Sequence, residues 1–139
     1  MGKKGLLRVL VIGFGNHEVT FLNRLFQGLV QHNTRIILTR SKWRKERTKA
    51  HELYQYLWVP PLKTGWFTRS INLVCLFLRT LGAKHYQWLK VQVRKGKNFK
   101  ERLGLFLSYS PFCQGDFDVI YFPWNSTAIT YKGLFEMGL

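Results

Sequence analysis

The feature that most constrains this chain is a change of hydrophobic period within its first forty residues. Leu6, Leu7, Val9, Leu10, Val11 and Ile12 form an apolar run broken only by Arg8, and Gly13-Phe14-Gly15 ends it. A run that does not alternate reads as a strand buried on both faces. Past the glycines the spacing turns helical: Val19, Leu22, Leu25, Phe26, Leu29 and Val30 recur at three or four, with Asn23, Arg24, Gln27 and Gln31 between them. Asn16 is placed to cap this helix, and Glu18 puts a carboxylate in its positive first turn. After His32-Asn33 a second apolar run follows, Arg35-Ile36-Ile37-Leu38-Thr39. Strand, glycine turn, helix and strand make a βαβ unit, with a right-handed crossover expected.

The glycine turn falls at the carboxyl end of a strand and faces a helix N-terminus. Free N–H groups and the helix dipole attract anions there, and open α/β sheets bind ligands in that crevice. The plainer reading is that Gly13 and Gly15 only let the chain turn. A dinucleotide fingerprint needs a third glycine where Glu18 stands, and an acid at the end of the second strand where Thr39-Arg40 stands. The motif therefore disfavours NAD-type binding.

At 139 residues the length is that of one domain, expected over 1–139. A formal net charge of +15 predicts acidic partners such as phosphates, anionic lipid or nucleic acid. Cys75 and Cys113 stand in no metal-ligand spacing, so no metal site is expected; a reduced cytoplasmic setting fits, with Cys75 read as a buried thiol. Lys3-Lys4 before the first apolar run imitates a signal peptide, but Arg8 interrupts that run and no small-residue cleavage site follows. The apolar stretch from Ile71 to Leu78 is too short to span a bilayer.

Beyond the second strand the chain turns basic: Arg40, Lys42, Arg44, Lys45, Arg47 and Lys49 stand against Glu46 alone. Such a run is either a solvated face or a contact for phosphate or an anionic membrane surface, and Trp43 within it favours an interfacial position. A helix is expected over 43–54 and a short strand over 55–59, stopped by Pro60-Pro61. Ser70 is expected to cap a helix over 71–81 that buries Ile71, Val74, Leu78 and Leu81, with Gly82 closing it. A second basic region, Lys84 to Arg102, interleaves Tyr86, Trp88, Leu89, Val91 and Val93. It suits a membrane surface, single-stranded nucleic acid, or a helix pair with basic outer faces.

In the last third, Phe99, Leu103, Phe106 and Leu107 are spaced for a helix that Ser110-Pro111 breaks. Asp116-Phe117-Asp118 leads into a second buried strand, Val119-Ile120-Tyr121-Phe122. Asn125 or Ser126 then caps a helix through Ala128, Ile129, Tyr131, Leu134 and Phe135, with Gly138 as its C-cap. A helix in that position usually runs into another parallel strand, so the chain reads as the front part of something larger, with an uncovered sheet edge. The fold class expected is α/β: a Rossmann-like, open, mostly parallel sheet with helices on both faces.

Two stretches resemble the N-terminal domain of glycosyltransferase family four, which has a two-Rossmann-domain GT-B architecture. They are Gly13-Phe14-Gly15-Asn16-His17-Glu18-Val19-Thr20-Phe21-Leu22-Asn23-Arg24-Leu25, similar to that family's loop and first helix, and Phe117-Asp118-Val119-Ile120-Tyr121-Phe122-Pro123-Trp124, similar to its "DVIHAH" strand. Tyr121 and Pro123 depart from the histidines common there. The resemblance implies the acceptor-side half of an enzyme making a retaining sugar transfer from a nucleotide-sugar to a glycan or lipid-linked acceptor. It also implies work in the cytoplasm, peripheral to the inner membrane face. The donor site belongs to a C-terminal half that this sequence lacks, so no cofactor is expected here, a separate chain would have to supply that half, and turnover by this chain alone is not expected.

On that resemblance Gly13, Phe14, Gly15, Asn16 and His17 line the acceptor cleft. Tyr121, Trp124, Asn125 and Ser126 meet them from a neighbouring strand end, and Arg40, Lys42, Arg44 and Lys45 contact an anionic surface. No catalytic residue is assigned. Two other classes remain open. One is a Rossmann domain for NAD(P) or S-adenosylmethionine, weakened by the missing glycine and acid. The other is a basic nucleic-acid module, weakened by the lack of zinc-ligand spacing, RNP-type strand or helix-turn-helix.

Overall fold

The computed structural model describes residues 6–13, 20–41, 54–61 and 64–137. The chain divides into two compact units. One holds the described residues through Trp58 together with Asp116–Ala128; the other holds Val59–Gly115 and the described residues from Ile129 onward.

The first unit is a four-stranded sheet built on the βαβ unit. Strand β1 (Leu7–Val11) leads through helix α1 (Thr20–Gln31) to β2 (Thr34–Arg40), and β3 (Tyr54–Trp58) and β4 (Val119–Tyr121) complete the order β3-β2-β1-β4. Every pairing is parallel, with Val11 opposite Leu38 on one side and Tyr121 on the other. The sheet is an α/β, Rossmann-like open sheet. Central β1 is apolar because both its faces are covered: Val9 and Val11 are buried on one, Leu10 and Ile12 on the other. Leu22 and Phe26 of α1 pack with Val9, Val11, Ile36, Leu38 and Tyr54, and Phe26 meets Tyr54 edge to face at 6.4 Å. Each such buried side chain contributes roughly 1.5–3 kcal/mol. Asn33 turns the chain from α1 into β2 at φ 62°, a left-handed position that Asn tolerates better than most residues. Strand β4 is an edge strand rather than the second buried strand expected, with Val119 and Tyr121 exposed.

Arg8, the interruption in the first apolar run, is explained by a residue more than a hundred positions away. Its backbone N–H donates to Asp118 Oδ2 at 2.8 Å, and its guanidinium pairs with Asp118 and Asp116. The Asp118 N–H donates back to the Arg8 carbonyl at 2.9 Å. The charged lead-in to β4 thus clamps it beside β1 at the amino-terminal rim of the sheet. Arg8 holds the Asp118 carboxyl below its usual range, first through its side-chain hydrogen bond.

The second unit comprises α2 (Trp66–Thr80), α3 (Tyr86–Arg94), α4 (Phe99–Tyr109) and 3-10 turns over Ser110–Phe112 and Lys132–Glu136. Asn98 caps α4 by accepting from the Glu101 N–H at 2.9 Å, while Glu101 accepts from the Lys97 N–H at 2.8 Å. This reciprocal cap accounts for the single acid in the basic stretch Lys84–Arg102. Tyr109 Oη accepts from the Gly133 N–H, and Trp88 Nε1 donates to the Gly133 carbonyl at 3.0 Å. Gly133 is therefore held from both sides, and a Cβ there would lie 2.7 Å from Gln92 Oε1.

Several expectations are corrected. Helix α2 begins at Trp66, with Gly65 before it, so Ser70 is not its cap; its hydroxyl donates to the Trp66 carbonyl inside the helix. The α2 side expected to be buried (Ile71, Val74, Leu78 and the following Leu81) is exposed, and Asn72, Leu76 and Thr80 are buried instead. Cys75 is exposed, whereas Cys113 is the buried thiol, pushed up to about 12 by desolvation. The last helix is only α5 (Asn125–Thr130), and a 3-10 turn follows it. Of the helix expected over 43–54, Tyr54 opens β3 and the rest lies outside the described residues, as does Gly138.

Candidate functional site at the carboxyl rim of the sheet

Because all four strands are parallel, their carboxyl ends share one rim. Beyond β1, the Ile12 N–H continues the ladder by donating to the Tyr121 carbonyl at 3.1 Å. One residue later the Gly13 N–H donates to Thr39 Oγ1 at 3.3 Å. The ends of β2, β1 and β4 are thereby tied together. Gly13 adopts φ +86°, and a Cβ placed on it would lie 2.6 Å from Thr127 Oγ1 and 2.9 Å from its methyl group. Only glycine fits, for two separate reasons: the left-handed backbone and the approach of α5.

The geometry bears on what Gly13 can do. Its N–H is spent on the Thr39 hydroxyl, so donors for a bound anion have to come from other groups at the rim. Tyr121, Trp124, Asn125 and Ser126 are exposed at the end of β4 and the start of α5, with Tyr121 opposite Val11 in the β1–β4 pair. The Trp124 carbonyl accepts from the N–H groups of Thr127 and Ala128, which fixes the turn that presents the Trp124 ring. At the end of β2, the Arg40 guanidinium stands 5.4 Å from the centre of the Tyr56 ring of β3, a cation–π arrangement. Burial raises the Tyr56 phenol against the lowering effect of the Arg40 charge.

Of the residues expected at this site, the described ones are Gly13, Tyr121, Trp124, Asn125, Ser126 and Arg40, and all lie at the carboxyl ends of strands or just past them. Phe14, Gly15, Asn16, His17, Lys42, Arg44 and Lys45 lie outside the described residues. Comparison with protein-family models, curated proteins and solved structures finds no match.

Thr39 and Thr127 were not singled out from the sequence, yet their hydroxyls close the rim on Gly13. The signal for Thr39 was its position at the end of a strand adjacent to the glycine turn; Thr127 gave none. Among the described residues no three His, Cys, Asp or Glu side chains are grouped to hold a metal ion, and no helix is long and apolar enough to cross a membrane.

Proposed function

We propose that this chain is the acceptor-binding half of a GT-B-type glycosyltransferase, holding a glycan or lipid-linked acceptor at the carboxyl rim of its sheet. The observation that carries the reading is the parallel pairing of β1 with β4. It brings Gly13, which opens the first stretch that resembles that enzyme family, and Tyr121, which lies in the second, to one rim. An exposed indole beside hydroxyl and amide side chains suits a sugar, whose apolar face stacks on an aromatic ring while its hydroxyls need polar partners. Transfer itself needs a nucleotide-sugar site supplied by a second α/β half.

The test is saturation-transfer NMR on the full chain with a panel of mono- and disaccharides and a polyprenyl-diphosphate-linked sugar. Enhancement on at least one sugar ring, lost in Trp124→Ala, is expected. No transfer or hydrolysis of nucleotide-sugar by the chain alone is expected either. Saturable binding of NAD(P)H or S-adenosylmethionine at this rim, with no sugar response, would overturn the reading.

A further inference from the structure

Helix α2 is built the opposite way round from an ordinary surface helix. Its inward side carries Asn72, Leu76 and Thr80. Its outward side carries Phe67, Ile71, Val74, Phe77 and Leu78, continued by Leu81 just past its end. Trp66, at 81% exposed, flanks them, and Val74 and Leu78 are 61% and 62% exposed. At 3.6 residues per turn this apolar face covers about 140° of the helix circumference. The one polar residue within it is Ser70, and its hydroxyl is already bonded to the Trp66 carbonyl. No side-chain group on that face therefore requires water.

The charge of the sequence around this helix is of one sign. No Asp or Glu occurs between Glu52 and Glu101. The same stretch carries Arg69 and Arg79 on α2 itself, with Lys84, Lys90 and Arg94 following. A broad apolar face with Trp and Phe, on a helix whose charged residues are all cations, is what a helix lying in the plane of an anionic bilayer presents. The 15-residue length of α2 makes it about 22 Å long, suited to lying in the interface. A second copy of the chain is a poorer occupant. Pairing through this face would bring together two helices whose charged residues are all cationic.

We infer that the outward face of α2 is a membrane-docking surface, which seats the chain on an anionic phospholipid leaflet with α2 parallel to the plane. Phe67, Ile71, Val74, Phe77 and Leu78 enter the acyl boundary, Trp66 sits at headgroup depth, and the surrounding lysines and arginines meet the phosphates. This attachment is independent of what the sheet rim binds.

The experiment is co-sedimentation of the full chain with vesicles of phosphatidylcholine alone, or with about one-third phosphatidylglycerol. Tryptophan emission is followed in parallel. Partition onto the anionic vesicles is expected to exceed that onto neutral ones by at least about tenfold, with part of the binding persisting at high salt because apolar burial is unscreened. Val74→Glu/Leu78→Glu changes two exposed positions and is expected to keep its far-UV circular dichroism while losing at least about tenfold in partition. Trp66→Phe keeps the apolar face and is expected to bind while losing much of the blue shift in emission. Equal partition of wild type and Val74→Glu/Leu78→Glu would overturn the inference, because charge alone would then carry binding. Absence of binding to anionic vesicles would also overturn it, as would a dimer in sedimentation equilibrium that the double substitution disperses. An unshifted Trp66 in the vesicle-bound chain would do the same.

Discussion

Gly13 is where two physical demands meet, and substituting it separates them. Gly13→Ala places a methyl group in a left-handed backbone at φ +86°, which costs about 1–2 kcal/mol for an L-residue. It also drives that methyl to 2.6 Å from Thr127 Oγ1 and 2.9 Å from its methyl group. Overpacking of this kind adds about 1–3 kcal/mol. The single substitution should therefore destabilise the sheet unit by about 2–5 kcal/mol. Thr127→Ala removes both close atoms and leaves only Cβ at 3.2 Å. In that background the penalty of Gly13→Ala should shrink toward the backbone cost, giving a coupling of about 1–3 kcal/mol between the two sites. With two compact units in the chain, the readout has to be local, so the assay is hydrogen exchange of the Ile12 amide, which bonds the Tyr121 carbonyl across β1 and β4. Protection should fall roughly 30-fold to a few-thousand-fold in Gly13→Ala and recover partly in the double variant. If the two substitutions are strictly additive, the approach of Thr127 is not what excludes a side chain; if Gly13→Ala is silent, both parts of the reasoning fail.

Thiol chemistry gives a simpler check. A maleimide at pH 8 should label one cysteine in the native chain, none in Cys75→Ser, and Cys113 only after denaturation, because Cys113 is fully buried and its pKa is pushed up to about 12. Rapid native labelling of Cys113 would refute its placement. Acid stability should carry the signature of Asp118. Its carboxyl is held below the unfolded value of about 3.9, so its contribution is fully present above that pH and is lost as pH falls through the lower, folded value. Urea midpoints from pH 7 to pH 2 should fall less steeply on the acid side in Arg8→Met than in wild type; an unchanged slope would mean the clamp contributes nothing.

The sheet was legible where one period dominates a long enough window. The β1–α1–β2 unit and β3 were read to within a residue or two, since a central parallel strand must be apolar on both faces and the helix crossing it must be apolar on one. That Gly13 and Tyr121 share a rim was legible too, because parallel strands present their carboxyl ends on a common side. What closes that rim was not. Thr39 and Thr127 act through single hydroxyls across large sequence separations, and no local pattern marks a hydroxyl as the partner of a distant glycine. The Arg8 clamp on Asp116 and Asp118 escaped for the same reason.

Helix α2 shows a different limit, and a physical one. Its spacing correctly groups Ile71, Val74, Leu78 and Leu81 on one side, just as it groups Leu22 and Phe26 in α1. Periodicity says which residues share a face; it is silent about the medium that covers the face. For α1 the medium is the sheet, since Val9, Val11, Ile36 and Leu38 are aimed at it. For α2, half a turn of the helix would have hidden the apolar face and exposed Asn72 and Thr80, yet the chain does the reverse. Leaving the outward side chains in water forgoes roughly 1 kcal/mol for each that is about half exposed. Summed over the face, that is comparable to the 5–15 kcal/mol by which a whole domain is stable. An arrangement that forgoes so much is best accounted for by a surrounding that returns it, and a bilayer interface returns it while matching the one-signed charge of the sequence around α2.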